Sequence, residues 1–102
     1  MNAFHRTSIF DEWLTLLKDK SGKALILKRI RSAEAGNLGD CRPVGQGVSE
    51  MRVHYGPGYR TYFTRTGGVV YLLLCGGDKS SQQSDIAEAI EIAKFLKQRK
   101  PK

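Results

Sequence analysis

The sequence is short of several things that small proteins use to hold themselves together or to hold a ligand. It has two cysteines, Cys41 and Cys75, and two histidines, His5 and His54, which lie far apart. So few cysteines exclude a disulfide scaffold, and neither CxxC pairs nor clustered histidines give a zinc-binding spacing. Apolar runs are short as well. The longest, Val69 to Cys75, has the length of a strand and not of a membrane span. The opening MNAFHRTSIFDEW lacks the apolar stretch of a signal peptide. Internal repeats, low-complexity segments and a composition shift that would mark a linker are all missing, so the 102 residues are expected to form one domain. Together these absences predict a reduced, cytoplasmic protein with no membrane segment, no metal and no cofactor. Acidic residues are the last shortage: 10 against 17 lysines and arginines, a net charge of +7. A surplus of that size on a small body sets up a field that draws polyanions, RNA and DNA first among them. Solubility alone, or an acidic protein partner, would also account for it.

What is present reads as helix, helix, strands, helix. Phe10, Trp13, Leu14 and Leu17 recur at helical spacing after a Thr7-Ser8 cap, with Asp11 and Glu12 in the first turn, where acids suit the helix dipole. Gly22 breaks that pattern. A second helix follows in KALILKRIRSAEAG, with Ile26, Leu27, Ile30 and Ala33 on one face, and it ends at Gly36-Asn37. NLGDCRPVGQG is loop, with a short edge strand around Cys41–Val44. Val48 to Tyr55 alternates, Gly56-Pro57-Gly58 turns the chain, and Tyr59 to Arg65 returns. After a turn at Thr66-Gly67-Gly68, VVYLLLC is apolar throughout, which suits a strand covered on both faces. GGDKSSQQS reads as loop. A final helix carries Ile86, Ala89, Ile90 and Ala93, and its basic end, KFLKQRKPK, is expected to fray from about residue 94. Asn2 to Arg6 can add one more strand. The predicted class is α+β: two N-terminal helices on a twisted antiparallel sheet of three to five strands, plus a C-terminal helix, with the helices on one face and the opposite face partly open.

The hairpin SEMRVHYGPGYRTYF raises the functional question. With Tyr55 opposite Tyr59, alternation puts Met51, Val53, Thr61 and Phe63 on the helix side. Arg52, His54, Arg60 and Tyr62 share the other side with Glu50. Like charges opposed across a sheet are unfavourable unless an anion joins them. One reading is a solvated face with a Glu50–Arg52 or Glu50–Arg60 ion pair. The other is a phosphate-binding face, for which arginine forks, a histidine that titrates near neutrality and a tyrosine are suited. Lys79, released by Gly76-Gly77 at the end of the apolar strand, can reach over the same edge. GGDK lacks the pattern of a phosphate-cradling P-loop.

The joined pattern of FDEWLTLLKD, GNLGD, GVSEMR, YGPGYR and LLCGGDKSSQ resembles the HigB-like branch of the RelE/ParE superfamily, often called addiction-module killer proteins of type II toxin–antitoxin systems. The resemblance runs from about Thr7 to Ala93. It implies a microbial-ribonuclease-like α+β fold. It implies a metal-independent endoribonuclease that cuts mRNA on the ribosome through attack by the 2′-hydroxyl. It also implies a cognate helix-turn-helix antitoxin as partner. Carried over by position, Arg60 is the arginine that stabilises the scissile phosphate, Lys79 the basic residue after the last strand, and Arg52 a cation facing the same cleft. His54 is a candidate for proton transfer, and Tyr62, Arg65 and Tyr59 are expected RNA contacts. The chain departs from the RelE pattern in having one lysine after the last strand and no tyrosine in its C-terminal segment. The general base then falls to His54 or to a ribosomal group, or basic residues alone suffice for a slow, ribosome-assisted reaction through charge stabilisation and in-line positioning of the phosphate. A ParE-type gyrase inhibitor and an inactive, antitoxin-binding relic are the alternatives.

Overall fold

The computed structural model describes residues 3–67 and 70–98. Asn2 of the expected first strand, Gly68 and Val69 of the second turn and apolar strand, and 99–102 of the basic tail lie outside the described residues. The elements run β1 (Ala3–Arg6), α1 (Ser8–Leu16), α2 (Lys20–Glu34), β2 (Cys41–Gly45), β3 (Val48–Val53), β4 (Tyr59–Arg65), β5 (Val70–Asp78), a 3-10 turn (Lys79–Ser81) and α3 (Gln82–Gln98). The class is α+β, and the five strands form one sheet in the order β1-β5-β4-β3-β2. No helix among the described residues is long and apolar enough to cross a membrane.

The sheet is mixed, which corrects the expected all-antiparallel arrangement. β1 runs parallel to β5, with Ala3 opposite Val70 and Arg6 opposite Leu73. Thr7 fixes this join. Its hydroxyl accepts from the Phe10 amide (3.0 Å), capping α1, and donates to the Leu74 carbonyl (2.7 Å), so helix start and strand are held by one side chain. α2 starts three residues earlier than the Gly22 break suggested. Asp19 caps it by accepting from the Gly22 amide at 3.0 Å, and position 22 has to be glycine within the helix because a Cβ there would run into the Tyr59 ring.

Helices cover both faces of the sheet, not one. α1 and α2 bury Phe10, Leu14, Ile26 and Ile30 against Met51, Val53, Phe63 and Leu73. On the other face α3 lays Ala89 and Ala93 over Val48, Tyr62, Leu74 and Cys75. The β4–β5 register shifts between Tyr62 and Phe63, and Leu74 is the extra residue on β5, so Leu74 and Cys75 both face α3. Buried there, the Cys75 thiol is pushed up to about 12. β5 then continues through Gly76 and Gly77, which the sequence presented as loop. A Cβ on Gly76 would run into the Trp13 ring, and one on Gly77 would run into the Asp85 carboxylate. The two glycines let α1 and the start of α3 close on opposite sides of the same strand. α3 also runs on to Gln98, where fraying was expected from about residue 94.

Candidate active site

Alternation assigned the hairpin faces as the structure has them, but the register differs by two. Arg52 lies opposite Arg60, Glu50 opposite Tyr62 and Val53 opposite Tyr59, leaving His54–Gly58 as the loop. A two-residue shift keeps every side chain on its face, because the side-chain period of a strand is two. Gly58 has φ +79 and closes the loop by donating to the Tyr55 carbonyl at 3.0 Å. α3 covers the middle of its sheet face and leaves the hairpin end open. A hollow of about 470 Å³ remains there, lined by Arg52, His54, Tyr55, Arg60, Lys79 and the Gly56–Gly58 turn.

Two arginines in direct register need a counter-charge, and Glu50 supplies it from a fully buried position (0% exposed). Its Oε1 accepts from Arg52 Nε at 3.2 Å and lies 3.7 Å from Arg42 Nε. Its Oε2 accepts from Gln82 Nε2 at 2.9 Å and from the Tyr62 hydroxyl at 3.2 Å, and it lies 3.6 Å from Arg60 NH1. Burial pushes the Glu50 carboxyl up. The bonds from Gln82 and Arg52, the charge of Arg60 and the Tyr62 hydroxyl outweigh it and hold the group below its ordinary value. Three guanidinium groups share this one carboxylate, a local surplus of two positive charges. Arg60 is the most deeply set, its side chain 12% exposed and its buried NH1 without a hydrogen bond.

His54 sits on the rim with Nε2 at 2.5 Å from Asp40 Oδ2. That bond, followed by the charges of Arg52, His54 and Arg29, holds the Asp40 carboxyl below its ordinary value against a smaller desolvation effect. Asp40 is fixed by its backbone. Its carbonyl accepts from the Arg52 amide (3.0 Å) and from Arg29 NH2 (3.4 Å), while Arg29 also donates to the carbonyls of Leu38 (2.9 Å) and Arg52 (3.3 Å). Gly39, at φ +63, makes room for this clamp, since a Cβ there would meet the Arg29 guanidinium at 2.5 Å. Lys79 reaches the hollow from the 3-10 turn, where the Asp78 carboxylate accepts from the Ser80 amide (2.9 Å) and the Asp78 amide donates to the Ser81 hydroxyl oxygen (3.3 Å). Among the described residues no cluster of three or more His, Cys, Asp or Glu side chains could hold a metal.

Arg52, His54, Arg60 and Lys79 therefore meet at one hollow, and the three expected RNA contacts do not join them. Tyr62 is 0% exposed beneath α3 and bonded to Glu50, so it has no free ring face for a base. Tyr59 faces α2, donates to Asp19 Oδ2 at 2.7 Å, and has its phenol pushed up to about 12 by that bond and by burial. Arg65 lies at the far end of β4, its guanidinium carbon 5.8 Å from the centre of the Tyr71 ring. Sequence reasoning missed Arg42, Arg29, Asp40 and Tyr55. The first three sit in or against a glycine-rich loop whose path only tertiary contacts define. Tyr55, directly before the turn, is the exposed aromatic on the rim, at 40%.

No protein-family model matches the chain. Over 90 residues it is 46% identical to a protein of Haemophilus influenzae (strain Rd) described only as uncharacterized, an overlap that covers 88% of this chain and 91% of the relative.

Proposed function

The chain belongs to one family with that Haemophilus influenzae protein, and from the charge and geometry of the hollow we propose that it is an endoribonuclease toxin of the HigB-like branch of the RelE/ParE superfamily. Its substrate is mRNA on the ribosome, it works in the cytoplasm, and its partner is a helix-turn-helix antitoxin. The observation that carries the reading is the pairing of Arg52 with Arg60 around a single buried carboxylate, beside the His54–Asp40 pair. That surplus of positive charge is what a phosphodiester gaining negative charge needs. Arg52, Arg60 and Lys79 hold the phosphate oxygens, the arginines as forks and the lysine as a point charge. His54 Nδ1, the ring nitrogen that Asp40 does not engage, takes the proton of the 2′-hydroxyl, and Asp40, still bonded at Nε2, stabilises the resulting imidazolium. The 2′-oxygen bonds to phosphorus as the bond to the 5′-oxygen breaks. The 5′-oxygen takes a proton from Lys79 or water, leaving a 2′,3′-cyclic phosphate. Holding nucleophile and leaving group in line provides much of the rate.

The test is to induce the protein and map RNA 5′ ends in translated messages, with DNA supercoiling followed in parallel. New ends inside coding regions, and their loss in Arg60→Ala, are the expected result. Intact messages with relaxed plasmid DNA would overturn it in favour of gyrase inhibition, and intact messages with normal growth would mark an inactive relic.

A further inference from the structure

The hollow does not end at His54. On the far side of Tyr55 and His54 a second groove of about 350 Å³ runs between α2 and β3, and Arg52, His54 and Tyr55 line both. Its floor is apolar, from Leu25 and Val53, and its walls carry Lys28, Arg29 and Arg52 against the single carboxylate of Asp40. The volume lies at the small end of the range for ligand sites, about 300–1,000 Å³, which suits one nucleotide and excludes a duplex. Apolar floor, exposed aromatic rim and cationic walls are the combination that holds single-stranded nucleic acid: the base stacks or packs and the backbone follows the charge.

We propose that this groove seats the nucleotide next to the scissile phosphate, its base against Leu25 and Tyr55 and its flanking phosphate at Lys28. The inference rests on the endoribonuclease reading and adds a subsite to it. The strand then crosses the His54–Tyr55 rim, which brings the 2′-hydroxyl of one nucleotide past the imidazole. Asp40, held by Arg29, lies on the groove side of His54, so an occupied groove closes the His54–Asp40 pair off from water.

The experiment uses the full chain labelled with 15N and two probes that are not cut: adenosine 3′-monophosphate, and a single-stranded pentanucleotide carrying 2′-O-methyl groups throughout. The mononucleotide should shift resonances of the hollow (Gly58, Arg60, Lys79). The pentanucleotide should shift these and also Leu25 and Lys28. Lys28→Glu, an exposed change on α2 whose fold is checked by circular dichroism, should weaken the pentanucleotide about tenfold and leave the mononucleotide unchanged. Tyr55→Ala should weaken the pentanucleotide more than the mononucleotide. If the hollow responds to both probes but neither variant changes pentanucleotide binding, the subsite is wrong and the ribonuclease reading survives. If neither probe moves the hollow, both are wrong.

Discussion

Taking water away from a carboxylate raises its pKa, yet Glu50, with no exposed surface, sits below its ordinary value because donors surround it. The sign of its effect on stability follows. A depressed folded-state value means that Glu50 stabilises the fold above its unfolded value of 4.5, and that this contribution is lost as pH falls through the lower folded value. Asp19 and Asp40 act in the same sense, and Asp85, raised mainly by its burial, opposes them. Glu50→Gln keeps the shape and removes the charge that joins Arg52 and Arg60. Thermal or urea unfolding at neutral pH should show a loss of about 3 kcal/mol. As pH falls from about 5 through the lowered folded-state value of Glu50, the wild-type melting temperature should fall more steeply than that of the variant. Arg60→Ala should lower cleavage in a ribosome assay by about 10²- to 10³-fold, the usual effect of losing one donor to a developing anion. Its unfolding midpoint should move little, because Glu50 keeps Arg52, Gln82 and Tyr62. A large drop in stability with cleavage retained would make Arg60 a structural residue. The shared face of Glu50, Arg52 and Arg60 was legible in the sequence, since period-two alternation survives a register error of two. The Glu50–Gln82 bond was not, because a sequence shows that a helix has an apolar face without showing which side of a sheet it will cover.

β5 is the element on which the site is hung, and its two glycines are what allow it. Gly77 lies opposite Arg60 and accepts the Asp85–Ser81 pair against its Cα. Gly77→Ala has to displace the Asp85 and Ser81 side chains that tie the start of α3, at about 1–3 kcal/mol. Gln82 belongs to that turn, so hydrogen exchange in residues 81–85 should quicken and cleavage should fall with it. An unchanged urea midpoint would show that α3 adapts without strain. Gly-Gly before a charged residue reads locally as a turn, and here close approach of two helices, not φ, decides the residue type. The parallel docking of β1 was equally hidden. Its few residues show that a strand is favourable and carry no sign of direction, which Thr7 sets by bonding to Leu74.

For the whole molecule, a net charge of +7 makes association with RNA dependent on salt. Arg52, Arg60, Lys79 and Lys28, offset by Glu50, correspond to about three neutralised phosphates. Affinity for single-stranded RNA should then fall with a slope of about −2 on a log–log plot against salt. A slope near zero would place the contact elsewhere. Cleavage on ribosomes kept intact with Mg2+ should persist when transition metals are removed by a zinc-selective chelator, since the proposed charge stabilisation comes from arginine and lysine, and its abolition would overturn that account. The parallel pairing of β1 with β5 also orders events in time. Thr7 binds a carbonyl 67 positions downstream, so the first strand synthesised finds its neighbour only after nearly every other element has emerged. The hollow is as late to form, since it needs Lys79 after β5, and a chain that has not yet grown past that residue has no finished cleft.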